Sequence, residues 1–228
     1  MAFERRQAAG IDPPFDYPGY RSTALRAPAR PLLRLPFEPT ELSGPPAEAL
    51  VAGRTIASPT DLTRQHAGEP LGERIIVGGR VLDGDGRPLA GTLVEIWQAN
   101  ASGRYVHASD QHPAPLDPNF TGAGYCITDA EGAYSFVTIK PGAYPWKNHP
   151  NAWRPAHIHF SLFGRNFSQR LITQMYFPGD PLLDIDPIYQ SIPDQASRAQ
   201  LVARFDLART VSEWALGYEF DVTLGGRS

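Results

Sequence analysis

From Glu73 onward, the hydrophobic positions fall into short runs separated by Gly, Pro and Asp clusters. "RIIVGGRVL" reads as a strand, and "DGDGRP" as a turn with two glycines able to take positive φ. In "GTLVEIWQA", Leu93, Glu95 and Trp97 alternate with Val94, Ile96 and Gln98, the period of a pleated strand. "GYCITD", the turn "DAEG" and "AYSFVTI" predict another hairpin by the same logic. "AHIHFSLF", "RLITQMYF" and "ALGYEFDVTL" predict three more strands. Only "PDQASRAQLVARFDLA" has clear helical spacing, at Leu201, Val202 and Phe205. No internal repeat is visible. Short strands, Gly/Pro turns and one short helix near the C-terminus predict an all-β fold. Its core is a β-sandwich of mainly antiparallel strands with long loops, spanning residues 71–228.

Residues 1–70 lack such periodicity. Arg26, Arg30 and Arg34 stand four apart, as on a helix face, but Pro28 and Pro31 interrupt that helix. The expectation is an extended N-terminal arm that packs on its own body or on a partner chain, the alternative being a solvated tail.

Composition adds constraints. The 228 residues include 23 prolines and 21 glycines, and proline runs at about twice average usage, which agrees with a loop-rich chain. A net charge of −3 gives no reason to expect nucleic acid or an anionic membrane as partner. Cys126 is the sole cysteine, so no intrachain disulfide forms, which suits a reducing cytoplasm. The start "MAFERRQAAG" has no apolar core of a secretory signal, and no stretch approaches the ~20 apolar residues of a membrane span.

The chemistry begins at "WRPAHIHF". On a strand, His157 and His159 project to one face while Ile158 and Phe160 project to the other. Two imidazoles so placed can chelate one metal, although two histidines on a solvated face would show the same spacing. No HExxH or CxxC accompanies them. No acidic residue follows before Asp180, so the carboxylate of a two-His, one-carboxylate ferrous site is missing. His66, His107, His112 and His149 lie in loop-like sequence, and nothing selects one of them as a third ligand. Tyrosine is the remaining candidate. Tyr105 follows a strand, and Tyr144 sits between Pro141 and Pro145, though each could equally be an aromatic packed at a sheet edge. A tyrosinate ligand needs a strongly acidic metal, and hard anionic oxygen with imidazole favours Fe(III).

"GERIIVGGRV", "TLVEIWQANASGRY", "LDPNFTGAGYCITDAEGAYSF", "TIKPGAYPWKN", "NAWRPAHIHF" and "LITQMYFPGDP" resemble, in order, segments of the intradiol ring-cleaving dioxygenases. Within that family they look most like the β-chain group acting on protocatechuate. The likeness is strong over roughly residues 70 to 190 and weaker in the arm and the last strand. It implies that Tyr105, Tyr144, His157 and His159 hold one Fe(III) per chain. It also implies substrate-side roles for Tyr20, Trp146, Arg154, Gln174 and Ile188, with Trp97 beneath the site. Tyr144 would serve as a base. Arg154 would be a fixed cation near the reacting ring, the alternative being a surface salt bridge.

The implied activity is O2-dependent cleavage of protocatechuate to 3-carboxy-cis,cis-muconate in the β-ketoadipate route of aromatic catabolism. The implied partner is an α chain that lacks the ligands and supplies part of the pocket of a hetero-oligomer. A relative cleaving 4-sulfocatechol would share nearly all of this pattern. Catechol 1,2-dioxygenases share the ligands but carry a helical N-terminal region unlike the first 70 residues here. A non-catalytic β-sandwich binding module, or a zinc or copper hydrolase built on the His pair, would leave the two tyrosines or the missing carboxylate unexplained.

Overall fold

A computed structural model describes residues 12–31, 33, 60–150, 153–164 and 170–224. The strand β8, His157–Phe163, organises the fold. Ile158, Phe160 and Leu162 are fully buried on its inner face, where they meet Val94, Ile96 and Cys126 of neighbouring strands. That face packs against a second sheet. The Phe160 ring lies 6.0 Å from those of Tyr134 and Phe136 and 5.2 Å from that of Phe220. The expected β-sandwich is therefore present, with the core between its two sheets.

The chain enters through a short helix, α1 (Ser22–Arg26), and then β1 (Thr60–Asp61), after which Leu62 joins the core. The strands β2 (Arg74–Asp83), β3 (Leu93–Gln98), β4 (Ala123–Ile127) and β5 (Ala133–Ile139) follow. Next come the small pair β6 (Tyr144–Pro145) and β7 (Trp153–Arg154), then β8 and β9 (Arg170–Tyr176). Two short helices, α2 (Pro187–Gln190) and α3 (Gln195–Ala199), lead to β10 (Arg204–Phe205), β11 (Leu216–Glu219) and β12 (Val222–Leu224). One sheet runs β1-β5-β2-β11-β10, with β12 also on β2, and the other runs β4-β3-β8-β9. Both β11 and β12 run parallel to β2, while the β3, β4, β8 and β9 pairings are antiparallel.

Two expectations need correction. The "DGDGRP" and "DAEG" turns do form, with Gly86 and Gly132 at φ of 80° and 69°. However, β2 and β3 belong to opposite sheets, and so do β4 and β5. The turns are corners of the sandwich rather than hairpins, because local turn chemistry reverses the chain without choosing the strand it pairs with. The helix near the C-terminus is also shorter than the spacing of Leu201, Val202 and Phe205 predicts. It ends at Ala199, and α1 and α2 are additional. Leu201 and Ala203 instead exchange backbone hydrogen bonds with Tyr176, both at 2.8 Å, and Phe205 enters β10. Edge pairing overrides the helical period at that point.

Among the described residues no helix is long and apolar enough to cross a membrane. The arm residues that are described lie on the body. The backbone nitrogens of Arg21 and Ser22 donate to Asn148, at 3.0 Å to its carbonyl and 2.8 Å to its side chain. Arg34, one of the arm arginines, lies outside the described residues.

Phe160 has no exposed surface and three ring neighbours, so Phe160→Ala should destabilise the chain by about 3–5 kcal/mol. Urea denaturation followed by far-UV circular dichroism measures this. A loss below ~1 kcal/mol would show that the core is not centred there.

Candidate functional site

The outer face of the β4-β3-β8-β9 sheet carries the polar residues. Register places Trp97, His159 and Gln174 in one row across β3, β8 and β9, and His157 opposite Tyr176 in the next. Trp97 stacks on His159 with ring centroids 4.7 Å apart and planes 3° apart, which is the supporting position expected of it. His157 and His159 stand side by side, with centroids 4.8 Å apart.

Two loops bring the tyrosines over this pair. The first is folded around Asn100, whose Oδ1 accepts hydrogen bonds from Ser102 N, Ser102 Oγ and Arg104 N at 3.0, 2.7 and 2.9 Å. Asp110 Oδ2 then accepts from Tyr105 N at 2.8 Å and fixes the backbone of that tyrosine. Tyr144 comes from β6, paired with Arg154 of β7. The loops touch through two glycines. Gly103 has φ of 79°, and a Cβ there would lie 2.2 Å from the Ala143 carbonyl oxygen; one at Gly142 would lie 2.4 Å from that of Ala101. The Tyr105 ring consequently meets Tyr144 edge-on at 5.4 Å and His159 at 6.2 Å, and Tyr144 sits 5.5 Å from His157. All four predicted ligands share one cluster.

Their state suits a cation. His157 Nδ1 lies 2.7 Å from the Pro155 carbonyl oxygen, so Nδ1 carries the proton and the Nε2 lone pair faces Tyr144 Oη at 3.3 Å. Burial, reinforced by the charge of Arg154, keeps His157 well below the usual histidine range and lowers His159 to about 4. Both imidazoles are thus neutral, the form that ligates metal. Tyr105 Oη is buried without a well-formed hydrogen bond. Burial and then the neighbouring Tyr144 hydroxyl hold the Tyr105 phenol well above its ordinary range. Burial also raises Tyr144, partly offset by Arg154. A buried oxygen without a partner, two neutral imidazoles and two phenols that only a strong Lewis acid would ionise fit a hard, highly charged metal. Among the described residues no three His, Cys, Asp or Glu side chains gather at one point, so a metal held here would draw its further donors from the phenols.

Beside the cluster lies a cavity of about 550 Å3, lined in part by Tyr20, Arg26, Gln174, Tyr176 and Ile188. Three of the predicted substrate residues, Tyr20, Gln174 and Ile188, therefore share one space. Trp146 stands behind Tyr20, with ring centroids 5.2 Å apart. None of the four clustered rings lines the cavity. Gln174 forms the wall between them, its Nε2 3.5 Å from His159 Nδ1. Arg154 reaches that wall through Gln174 Oε1, which accepts from its Nη2 at 2.6 Å.

The surface salt bridge considered for Arg154 is instead a buried one. Arg154 is 2% exposed and pairs with Asp186, 0% exposed, at 2.8 Å. Asn100, Asp110, Tyr176 and Asp186 are the residues that sequence reasoning missed. Only Asn100 had a local signal, an Asn two residues before a Ser-Gly pair, as in a side-chain-closed turn.

Comparison with known proteins assigns the chain to a family. A family model described as "Dioxygenase" covers residues 49–226, and another, "Protocatechuate 3,4-dioxygenase beta subunit N terminal", covers residues 5–38. The solved 3-chlorocatechol 1,2-dioxygenase of Rhodococcus opacus 1CP superposes with a TM-score of 0.58. It is 26% identical, with 75% of this chain and 67% of that chain covered. Fold and comparisons thus define a dioxygenase domain. The chain belongs to the intradiol ring-cleavage dioxygenases. It is 59% identical over 219 residues to the protocatechuate 3,4-dioxygenase beta chain of Burkholderia cepacia, covering 94% of this chain and 91% of that one. It is 28% identical over 202 residues to the alpha chain of the Pseudomonas putida enzyme, covering 86% and 95%.

Gly103→Ala should force the two ligand loops apart while the sandwich stays folded. Metal uptake should weaken by about tenfold or more, as for other disruptions around a metal's ligands. Metal titration alongside far-UV circular dichroism tests this, and unchanged affinity would mean that the glycine contact does not set the spacing.

Proposed function

We propose that the chain is the metal-bearing β subunit of an intradiol dioxygenase that cleaves protocatechuate with O2 to 3-carboxy-cis,cis-muconate. The convergence of Tyr105, Tyr144, His157 and His159 beside a cavity carries this reading, with the 59% identity to a protocatechuate 3,4-dioxygenase beta chain in support. These four residues would hold one Fe(III), which supplies Lewis-acid activation of the catechol ring toward O2.

The other steps belong to the protein. Tyr144, ionised when the metal is held, would take up the proton of a catechol hydroxyl. Arg154, held behind Gln174, would offer fixed positive charge to the anionic ring and, later, to product carboxylate. Ile188 and Gln174 bound the ring's space. Tyr20 and Arg26 lie on the arm side of the same cavity, joined by a short hydrogen bond from Arg26 Nη2 to Tyr20 Oη. They are the polar groups that suit a ring carboxylate. The arm, clipped to Asn148, roofs this space and limits water.

The match to a beta-chain N-terminal model supports an α-chain partner, and the likeness to an alpha chain supports a hetero-oligomer of two related chains. 4-Sulfocatechol is the competing substrate, because a sulfonate presents the same negative charge to Tyr20 and Arg26.

Iron-loaded protein should be red, from a broad visible charge-transfer band of ferric tyrosinate. Colourless protein at full iron occupancy would falsify the site. Anaerobic protocatechuate should shift that band more than catechol or 4-sulfocatechol does, and oxygen uptake should rank the three the same way. A higher kcat/KM for 4-sulfocatechol would reassign the substrate. His159→Ala should abolish iron retention, and persistent colour with turnover would show the ligand assignment to be wrong.

A further inference from the structure

Asp186 binds three parts of the site at once. Its Oδ1 accepts from Arg154 Nε at 2.8 Å. Its Oδ2 accepts from Arg154 Nη2 at 3.2 Å, from Tyr176 Oη at 3.1 Å and from the Tyr189 backbone nitrogen at 3.3 Å. One carboxylate therefore joins β7, β9 and the start of α2, the helix that brings Ile188 to the cavity.

The consequence falls on Arg154. Its Nε is taken by Asp186, and its Nη2 serves Asp186, Gln174 Oε1 and Tyr176 Oη. Tyr144 is a further group within hydrogen-bonding reach of the guanidinium. Trp146 lies against the guanidinium, its ring centroid 5.4 Å from Cζ. A planar group held on two edges and one face keeps a single orientation. The charge of Arg154 is felt at Tyr144, His157 and His159 alike.

We propose that Asp186 is a positioning residue for ring cleavage: it locks the Arg154 guanidinium so that its positive charge stays beside Tyr144 and the reacting catechol. This rests on the dioxygenase reading above. A buried ion pair of purely structural worth would also resist removal, so loss of stability alone does not decide between the two roles.

The test uses Asp186→Asn, which keeps the shape and one acceptor oxygen but removes the charge, together with Arg154→Gln and the double variant. Each is purified in the complete assembly and loaded with iron. Asp186→Asn should lower kcat by about 10- to 100-fold with KM changed less than about threefold, as for misplacement of a catalytic group. The visible band of the resting protein should persist, because none of the four ligands is touched. Adding Asp186→Asn to Arg154→Gln should cost nothing further in kcat. Independent, multiplicative losses in the double variant would overturn the proposal.

A crystal structure of metal-free Asp186→Asn supplies a readout independent of turnover and of the Arg154→Gln variants. The guanidinium should leave Gln174 Oε1 and Tyr176 Oη; if it stays in place, the positioning role is overturned. Absence of oxygen uptake by the wild-type assembly with every catechol would instead overturn the dioxygenase reading and the catalytic half of this inference. The guanidinium result would still decide the positional half.

Discussion

The row Trp97–His159–Gln174 ties the chemistry of the site to the register of a sheet. Each residue occupies its place because β3, β8 and β9 pair in one alignment, and the same alignment buries Ile158 and Phe160 on the other face. A slip of one residue in β8 would turn both histidines inward and present isoleucine and phenylalanine to the tyrosines. Burial of the inner face therefore specifies the outer one. The imidazole pair needs no separate device on the strand side, and the precision of the core becomes the precision of the imidazoles.

On the loop side the constraint differs. Tyr105 and Tyr144 are not carried on long elements, so their spacing depends on backbone contact between loops at Gly103 and Gly142. Around them is a polar interior that is neutral at the imidazoles and charged at the guanidinium. The imidazoles are kept neutral by burial, and the guanidinium is kept charged by Asp186 and its neighbours. Enclosing an ion pair is expensive, and such pairs are poor sources of net stability. On the proposal above, the pair behind Gln174 supplies orientation more than stability.

The strand pattern, the sandwich and the four clustered side chains were legible in the sequence. The His pair follows from the pleat, and the tyrosines from a family resemblance across ordered segments. The residues that orient them were not legible. Asp186 lies 32 positions from Arg154, in a segment of turns where an aspartate most often caps a helix, and it does cap one here. No periodicity shows that the same carboxylate also reaches back to β7. The sheet assignment of the turns was hidden for a similar reason. Gly and Asp dictate that the chain reverses, but the choice of pairing strand is made by faces hundreds of atoms away. Helical spacing at Leu201, Val202 and Phe205 misled because an open edge at Tyr176 was available to the same residues.

The clip between the arm and Asn148 also has a consequence in time. Ser22 and its partner are 126 residues apart. At a synthesis rate of roughly 5–20 residues per second, the arm waits about 6–25 s before its docking loop exists. The parallel pairing of β11 and β12 with β2 delays the larger sheet until residues 216–224 have been made. The cavity roof is therefore translated first and seated late. During that interval Tyr20, buried in the folded chain, has no folded surface to rest on, so the nascent chain offers its arm to chaperones and proteases first.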